Sequence, residues 1–145
     1  MYGNLTQGHD DLRVSMRDFA HVMQTASMAD MPVIARLRIA FSRLFSDHMG
    51  QENAIIEALR RGPLTPQADA ILREHSRAIV ALFLRYSDHI KYWTPAQIGR
   101  DWPGYRDAVL ALQDGLYERM EWEEEHLHPL SIAHITARPD RSSYA

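Results

Sequence analysis

The sequence predicts an all-α protein, an up-down-up-down antiparallel four-helix bundle, and three observations lead to this prediction. Apolar residues recur at spacings of three and four, the period of a helix face, along most of the chain. No segment alternates with a period of two for long enough to propose a strand. The breaks between the first three periodic segments are short, which favours antiparallel neighbours. A chain of 145 residues suits one domain, which we place at residues 1–135 with a frayed tail at 136–145.

A short polar break separates the first two predicted helices. Helix one begins near His9 and ends in the sequence TASMADMP at residues 25–32. Pro32 suits the first turn of helix two, which runs to the Arg-Arg-Gly-Pro break at residues 60–63. The apolar faces contain Leu12, Met16, Phe19 and Met23 in helix one, and Val33, Leu37, Phe41, Leu44, Phe45, Ile55, Ile56 and Leu59 in helix two.

Proline also marks the boundaries of the last two predicted helices. Thr65 is an N-cap for helix three, with proline in the first turn, and the helix ends at the break over residues 92–95. The longest connection of the chain follows, and helix four runs from near Gly104 to Pro129. The apolar faces contain Ile71, Leu72, Ile79, Leu82, Phe83, Tyr86 and Ile90 in helix three, and Val109, Leu112, Leu116, Met120 and Leu127 in helix four.

The composition excludes several classes of function. The chain has 16 Lys and Arg against 19 Asp and Glu, so the basic excess of a nucleic-acid-binding protein is missing. It has no cysteine, which excludes disulfides, thiolate nucleophiles and iron–sulfur clusters and leaves nitrogen and oxygen as metal ligands. We see neither a secretory signal nor a membrane span, and therefore expect a cytoplasmic protein without nucleic-acid or membrane partners.

Polar residues interrupt the apolar face of every predicted helix. Counting residues from each turn, at a helical rise of about 1.5 Å per residue, places these residues within roughly one turn of the same height. They are therefore expected to form one cluster inside the bundle. The residues are His9 in helix one, His48 and Glu52 in helix two, His75 in helix three, and Arg119 and Glu123 in helix four.

Such a cluster predicts a bound cation. Imidazoles and carboxylates buried together are costly unless they are paired or coordinate a positive charge. A ligand set of imidazole and carboxylate without thiolate suits iron, manganese or zinc. The core of a four-helix bundle is a known setting for two such metal ions.

The chain resembles the hemerythrin-like, or HHE cation-binding, family over about residues 5–135. The segment from His48 to Glu52 matches the His-x-x-x-Glu motif of that family, and RMEWEEEHLHP at residues 119–129 is similar to its helix-four pattern. The resemblance implies a non-heme di-iron centre that binds or senses oxygen, peroxide or nitric oxide. The ligands that it implies are His9, His48, Glu52, His75 and Glu123, with the two glutamates as candidates to bridge two metals.

Arg119 departs from the pattern of this family, which has a histidine at that position of helix four. A guanidinium is always cationic and has no lone pair, so Arg119 is not a ligand. If it points inward it pairs with Glu123 or Glu52, and the centre then holds one metal, a rearranged pair or none. His126 lies three residues after Glu123 and is an additional candidate ligand, because that spacing shares a helix face.

Three functions remain open at this point. The first is an iron protein, with zinc or manganese as alternative metals, that binds a small diatomic or peroxide ligand and is not necessarily an enzyme. The second is a metal-free regulatory or interaction module in which a network around Arg119 replaces the metal. The third is a peroxidase-like di-iron enzyme, for which no acid–base residue is assigned.

The remaining polar and aromatic residues are interpreted as surface features. Glu121, Glu124 and Glu125 are expected to form a solvated face of helix four. The aromatic residues between Tyr92 and Trp102 are a candidate interface for a protein partner or a second copy of the chain. Surface or bundle-end positions are expected for His21, His89, His128 and His134.

Overall fold

The computed structural model describes residues 4–137. Helices fill nearly all of this range and no strand occurs within it, which confirms the all-α class. Residues 138–145 of the predicted tail, and the side chain of His134, lie outside the described part. The helices are α1 (Asn4–Thr25), α2 (Met31–Arg61), α3 (Pro66–Tyr92), α4 (Pro95–Arg100), α5 (Trp102–Trp122) and α6 (His128–Ala137), with a 3-10 turn at Met28–Asp30 and a π-helical turn at Glu123–Leu127.

Side-chain caps begin the later helices. Oγ1 of Thr65 accepts a hydrogen bond from the backbone N–H of Ala68 at 3.1 Å, as expected for the start of α3. Oδ1 of Asp101 accepts one from the backbone N–H of Gly104 at 3.0 Å and begins α5. Of the helices described, none is both long and apolar enough to cross a membrane.

Two helix starts differ from the prediction, and one short helix was not predicted. α1 begins at Asn4, ahead of His9, and α5 begins at Trp102 rather than near Gly104. The long connection after α3 contains a further short helix, α4, which sequence analysis missed. Its start repeats the Thr-Pro pattern of α3, because Thr94 accepts a hydrogen bond from the N–H of Gln97 at 3.2 Å and proline follows.

The fourth predicted helix does not end at Pro129. Proline inside an α-helix lacks a donor, and its ring clashes with the carbonyl group four residues earlier. The π-helical turn changes this pattern, because the N–H of His128 donates to the carbonyl of Glu123, five residues earlier. Pro129 then lies in the first turn of α6, where no donor is required, and the helix continues to Ala137.

Three apolar clusters fill the core formed by residues 4–137. The first joins the start of α1, the end of α2, the start of α3 and the π-helical turn. The second joins the middle of α1 to the second half of α5. The third joins the end of α1, the start of α2, α4 and the start of α5. Their buried members are Leu5, Ile55, Ile56, Leu59, Leu72 and Leu127 in the first, Leu12, Met16, Leu116 and Met120 in the second, and Phe19, Met23, Ile34, Ile98, Tyr105 and Val109 in the third.

The aromatic residues around α4 are mostly packed rather than free. Trp93 and Trp102 pack against the third cluster, where both rings contact Tyr105. Tyr92 is 60% exposed. The predicted apolar face of α3 is also only partly covered, since Phe83 is 45% exposed.

Candidate metal centre

A layer of polar side chains lies between the first and second apolar clusters. In α1, His9 lies between Leu5 of the first cluster and Leu12 of the second. Glu123 likewise lies between Met120 and Leu127. The five residues implied as ligands meet in this layer, and their exposures run from 0% to 4%. They are His9, His48, Glu52, His75 and Glu123.

Two imidazoles and two carboxylates converge on one side of this layer, which we call the histidine side. Nε2 of His9 lies 3.1 Å from Oε1 of Glu123. Nε2 of His48 lies 3.2 Å from Oε2 of Glu52 and 4.0 Å from Oε1 of Glu123. One ligand atom from each of these four residues lies within 4.8 Å of the other three. Since nitrogen and oxygen ligands bind a transition metal such as zinc at about 2.0–2.3 Å, this spacing is close to what a single ion requires.

The other oxygen of each carboxylate faces a different pair of residues, which we call the arginine side. Oε1 of Glu52 lies 2.7 Å from Nε2 of His75. Oε2 of Glu123 lies 3.5 Å from Nδ1 of His75 and 3.4 Å from Nε of Arg119. The two glutamates therefore separate a histidine side, formed by His9 and His48, from an arginine side, formed by His75 and Arg119.

Several buried polar atoms of the layer have no hydrogen-bond partner among the described residues. They include Nδ1 of His9, both ring nitrogens of His48 and both carboxylate oxygens of Glu52. His48 and Glu52 approach closely without the alignment that a hydrogen bond needs. An unsatisfied buried polar group costs about 1–3 kcal/mol, so a shared cation would relieve several such penalties at once. These residues therefore fit a metal ion.

The carboxylates make this layer attract positive charge. Burial alone lowers the pKa of His48, but the contacts with Glu123 and Glu52 outweigh it and raise the pKa to about 9. Burial alone raises the pKa of Glu123, but its contacts with His48 and His9 hold that pKa well below its usual range. Without a metal, a proton on His48 therefore supplies part of the missing positive charge.

Arg119 points inward and pairs with Glu123. Its side chain is 12% exposed, and its guanidinium carbon lies 4.0 Å from the centre of the Trp122 ring, a cation–π distance. A terminal nitrogen of Arg119 lies 3.4 Å from Nδ1 of His75. The ring of His75 in turn stacks on Trp122, with 6.2 Å between the ring centres.

The π-helical turn changes the roles expected for two other histidines. His126 does not join the cluster, because its Nδ1 lies 3.0 Å from the carbonyl oxygen of Trp122 and its ring stacks on that indole. His128 was expected at the surface or the bundle end, but it is 7% exposed, with its ring centre 4.7 Å from that of His9. The wider turn alters the angular spacing after Glu123, which an α-helical count does not anticipate.

Glu124 is not part of a solvated face. Both of its oxygens bind a terminal nitrogen of Arg13, one of them at 2.7 Å, and its Oε1 lies 3.6 Å from Nδ1 of His9. Burial alone raises the pKa of Glu124, but the ion pair with Arg13 outweighs it and lowers the pKa. Glu121 and Glu125 are exposed, as expected.

Close approach of α1 and α2 positions His48. A Cβ atom added to Gly8 would lie 2.5 Å from Nδ1 of His48, so a side chain at residue 8 would collide with the imidazole. Glycine at this position therefore lets His48 reach the layer beside His9.

A separate cavity of about 210 Å³ lies in the other half of the core. None of the five residues of the polar layer lines it. Its wall is largely apolar and includes Phe41, Phe45, Leu82 and Leu112, together with His89 and Tyr105.

Comparisons of the chain with protein-family models, with curated proteins and with solved structures found no match. The class that the structure defines is an all-α protein with a buried group of His9, His48, Glu52 and Glu123 that could hold a metal ion. A more particular assignment rests on the chemistry of these residues.

Proposed function

We propose that this protein is a small non-heme iron protein with a hemerythrin-like bundle, which binds or senses oxygen, peroxide or nitric oxide. One observation carries the proposal. Four buried ligand atoms, from His9, His48, Glu52 and Glu123, lie within 4.8 Å of one another. Several neighbouring polar atoms have no other partner among the described residues. A metal ion is the partner that satisfies this set of atoms.

The order of contacts along the chain supports an up-down-up-down bundle. The first apolar cluster combines Leu5 from the start of α1, Leu59 from the end of α2 and Leu72 from the start of α3. The third cluster combines Met23 from the end of α1 with Ile34 from the start of α2. Contacts of this kind are those of consecutive antiparallel helices.

The residues of the layer suit iron, with zinc or manganese as alternatives. Imidazole and carboxylate ligands without thiolate are typical of these metals. Iron would also be able to change its oxidation state when it binds a small ligand. His9 and His48 would hold the metal with neutral ring nitrogens, and Glu52 and Glu123 would balance its charge. The apolar layers containing Leu5 and Leu12 limit the access of water from either side.

The test is elemental analysis and absorption spectroscopy of protein purified without oxygen and then exposed to oxygen or nitric oxide. We expect bound iron, a change of the spectrum on exposure, and a melting temperature that falls when a chelator removes the metal. A colourless protein without metal, whose melting temperature ignores iron and chelators, would contradict the proposal. That result would favour a regulatory or interaction module held together by Arg119 and Glu123.

A matched pair of variants tests whether the metal binds in the polar layer. Glu52→Gln keeps the size of a buried side chain but removes its charge, and we expect metal affinity to fall at least about 100-fold. Glu57→Gln makes the same change at a side chain of α2 that is 72% exposed and is expected to leave affinity unchanged. Equal affinity in the two variants would argue against the layer as the binding site.

Turnover of hydrogen peroxide separates a binding protein from an enzyme. A peroxidase needs an acid–base group beside the metal, and we assign none. We therefore expect peroxide consumption no faster than that of the same amount of free iron. A rate well above that level would favour the peroxidase-like alternative.

A further inference from the structure

We infer that Arg119 takes the place of a second cation, so that the centre holds a single metal ion on the histidine side. This inference rests on the proposed metal binding. Each glutamate of the layer directs one oxygen to the histidine side and the other to the arginine side. Two carboxylates in this arrangement offer two positions for positive charge, and a guanidinium already lies at one of them.

The histidine side offers a complete set of donors for one ion. His9, His48, Glu52 and Glu123 each supply one atom to the group within 4.8 Å. His75 is not a member of that group. Two imidazoles with two carboxylates suit a divalent transition metal such as Fe²⁺, Mn²⁺ or Zn²⁺.

On the arginine side, both ring nitrogens of His75 lie close to other side chains. A guanidinium has no lone pair, so the contact of 3.4 Å between Arg119 and Nδ1 of His75 requires Nδ1 to accept. An imidazole that accepts at Nδ1 carries its ring proton on Nε2, the atom that lies 2.7 Å from Oε1 of Glu52. Neither nitrogen has a free lone pair for a metal, so His75 is a positioning residue in this arrangement rather than a ligand.

Arg119 is held in place from several directions. Its Nε contacts Oε2 of Glu123 at 3.4 Å, and its charged plane lies over Trp122 at 4.0 Å. A second divalent ion among these side chains would lie beside a permanent positive charge, where low solvent exposure leaves the repulsion poorly screened. The single positive charge of Arg119 therefore excludes the second ion and partly neutralises Glu123.

The inference is tested by the metal content of protein loaded with Fe²⁺ or Zn²⁺ and freed of excess metal by gel filtration. Elemental analysis is expected to give one ion per chain for the natural protein. Arg119→His removes the permanent charge and adds a ligand, so we expect two ions per chain. Arg119→Lys keeps the charge and is expected to retain one ion.

A second set of variants separates ligands from positioning residues. His48→Gln is expected to lose the ion, whereas His75→Gln is expected to retain one ion per chain. Arg17→His makes the same substitution as the main variant at an exposed position of α1 and is expected to leave the ratio at one. Circular dichroism and thermal unfolding establish that each variant is folded before its metal content is measured.

Two results would overturn the inference. The first is two ions per chain in the natural protein. The second is a ratio that stays at one in folded Arg119→His protein while His75→Gln loses its metal. Absence of any metal from the natural protein would instead contradict the proposed function, so failures of the two proposals are distinguishable.

Discussion

A histidine lies in each half of the core, buried in the case of His48 and half-buried in the case of His89, and the surroundings shift the two pKa values in opposite directions. In the polar layer, Glu123 and Glu52 outweigh the effect of burial and raise the pKa of His48 to about 9. In the apolar half, burial together with the charges of Arg38 and Arg85 lowers the pKa of His89 to about 4. Histidine thus occurs in one region that favours positive charge and in another that disfavours it.

This difference shows that a histidine partly or wholly shielded from solvent does not by itself make a cation site. His89 stacks on Tyr105 beside an apolar cavity, and the charges that act on its pKa are those of Arg38 and Arg85. His48 lies beside two buried carboxylates and has no hydrogen-bond partner in the part of the chain that the structure describes. The carboxylates therefore distinguish the two regions, and metal binding and apolar packing are expected to respond to different substitutions.

The largest loss of stability is expected from a substitution that creates a cavity in the apolar half of the core, the half that contains the third cluster. Met23 is fully buried in the third cluster, and Met23→Ala is expected to lower the free energy of unfolding by about 3 kcal/mol. Because this cluster lies apart from the polar layer, metal affinity should stay within about twofold of the natural protein. Chemical denaturation and metal titration measure the two quantities.

Met28→Ala is the matched control for this prediction. Met28 is 42% exposed, so its truncation is expected to change the unfolding free energy by less than about 0.5 kcal/mol. A large loss of metal affinity in Met23→Ala would contradict the separation of the two regions, because it would couple the third cluster to the layer.

A smaller loss of stability is expected when acid protonates His89. Its pKa of about 4 in the folded protein lies below the ordinary value of 6.5, so the unfolded chain takes up this proton first. Stability from this group is complete above pH 6.5 and is lost as the pH falls toward 4. Allowing for partial exposure, we expect a loss of about 2 kcal/mol over this range.

The pH dependence is measured by denaturation at several pH values in the natural protein and in His89→Gln. The variant cannot take up the proton and should lose less stability between pH 6.5 and 4. Parallel curves for the two proteins would show that His89 is already solvated and would weaken the contrast between the two regions.

Most of the helical framework could be predicted because its signals are local. Thr65 caps α3 as expected from the Thr-Pro pattern, and the same pattern at Thr94 could have revealed α4. The π-helical turn could not be predicted, since a shift of hydrogen bonding by one residue leaves no periodic signal over five residues. That turn explains why Pro129 lies within a helix and why the burial of His128 was missed.

The candidate site was predictable to the extent that it follows helix faces. His9, His48 and Glu52 interrupt apolar stripes, and counting along the helices placed them at one height. The division into a histidine side and an arginine side depends on which carboxylate oxygen faces which neighbour. The spacing of residues in the sequence does not predict this. The engagement of His75 by Arg119 became visible only with the side chains in place.

The smallest effect is expected at the edge of the layer, where Glu124 binds Arg13. This ion pair is partly exposed, with 28% of the Arg13 side chain and 30% of the Glu124 side chain accessible. Glu124→Gln is therefore expected to lower the unfolding free energy by less than about 1 kcal/mol. Because Glu124 contributes charge near His9 but no atom to the group of four, metal affinity should fall far less than in Glu52→Gln. Isothermal titration of both variants with Zn²⁺ compares their metal affinities. Equal losses of affinity would show that Glu124 is a ligand and that the site includes the Arg13–Glu124 pair.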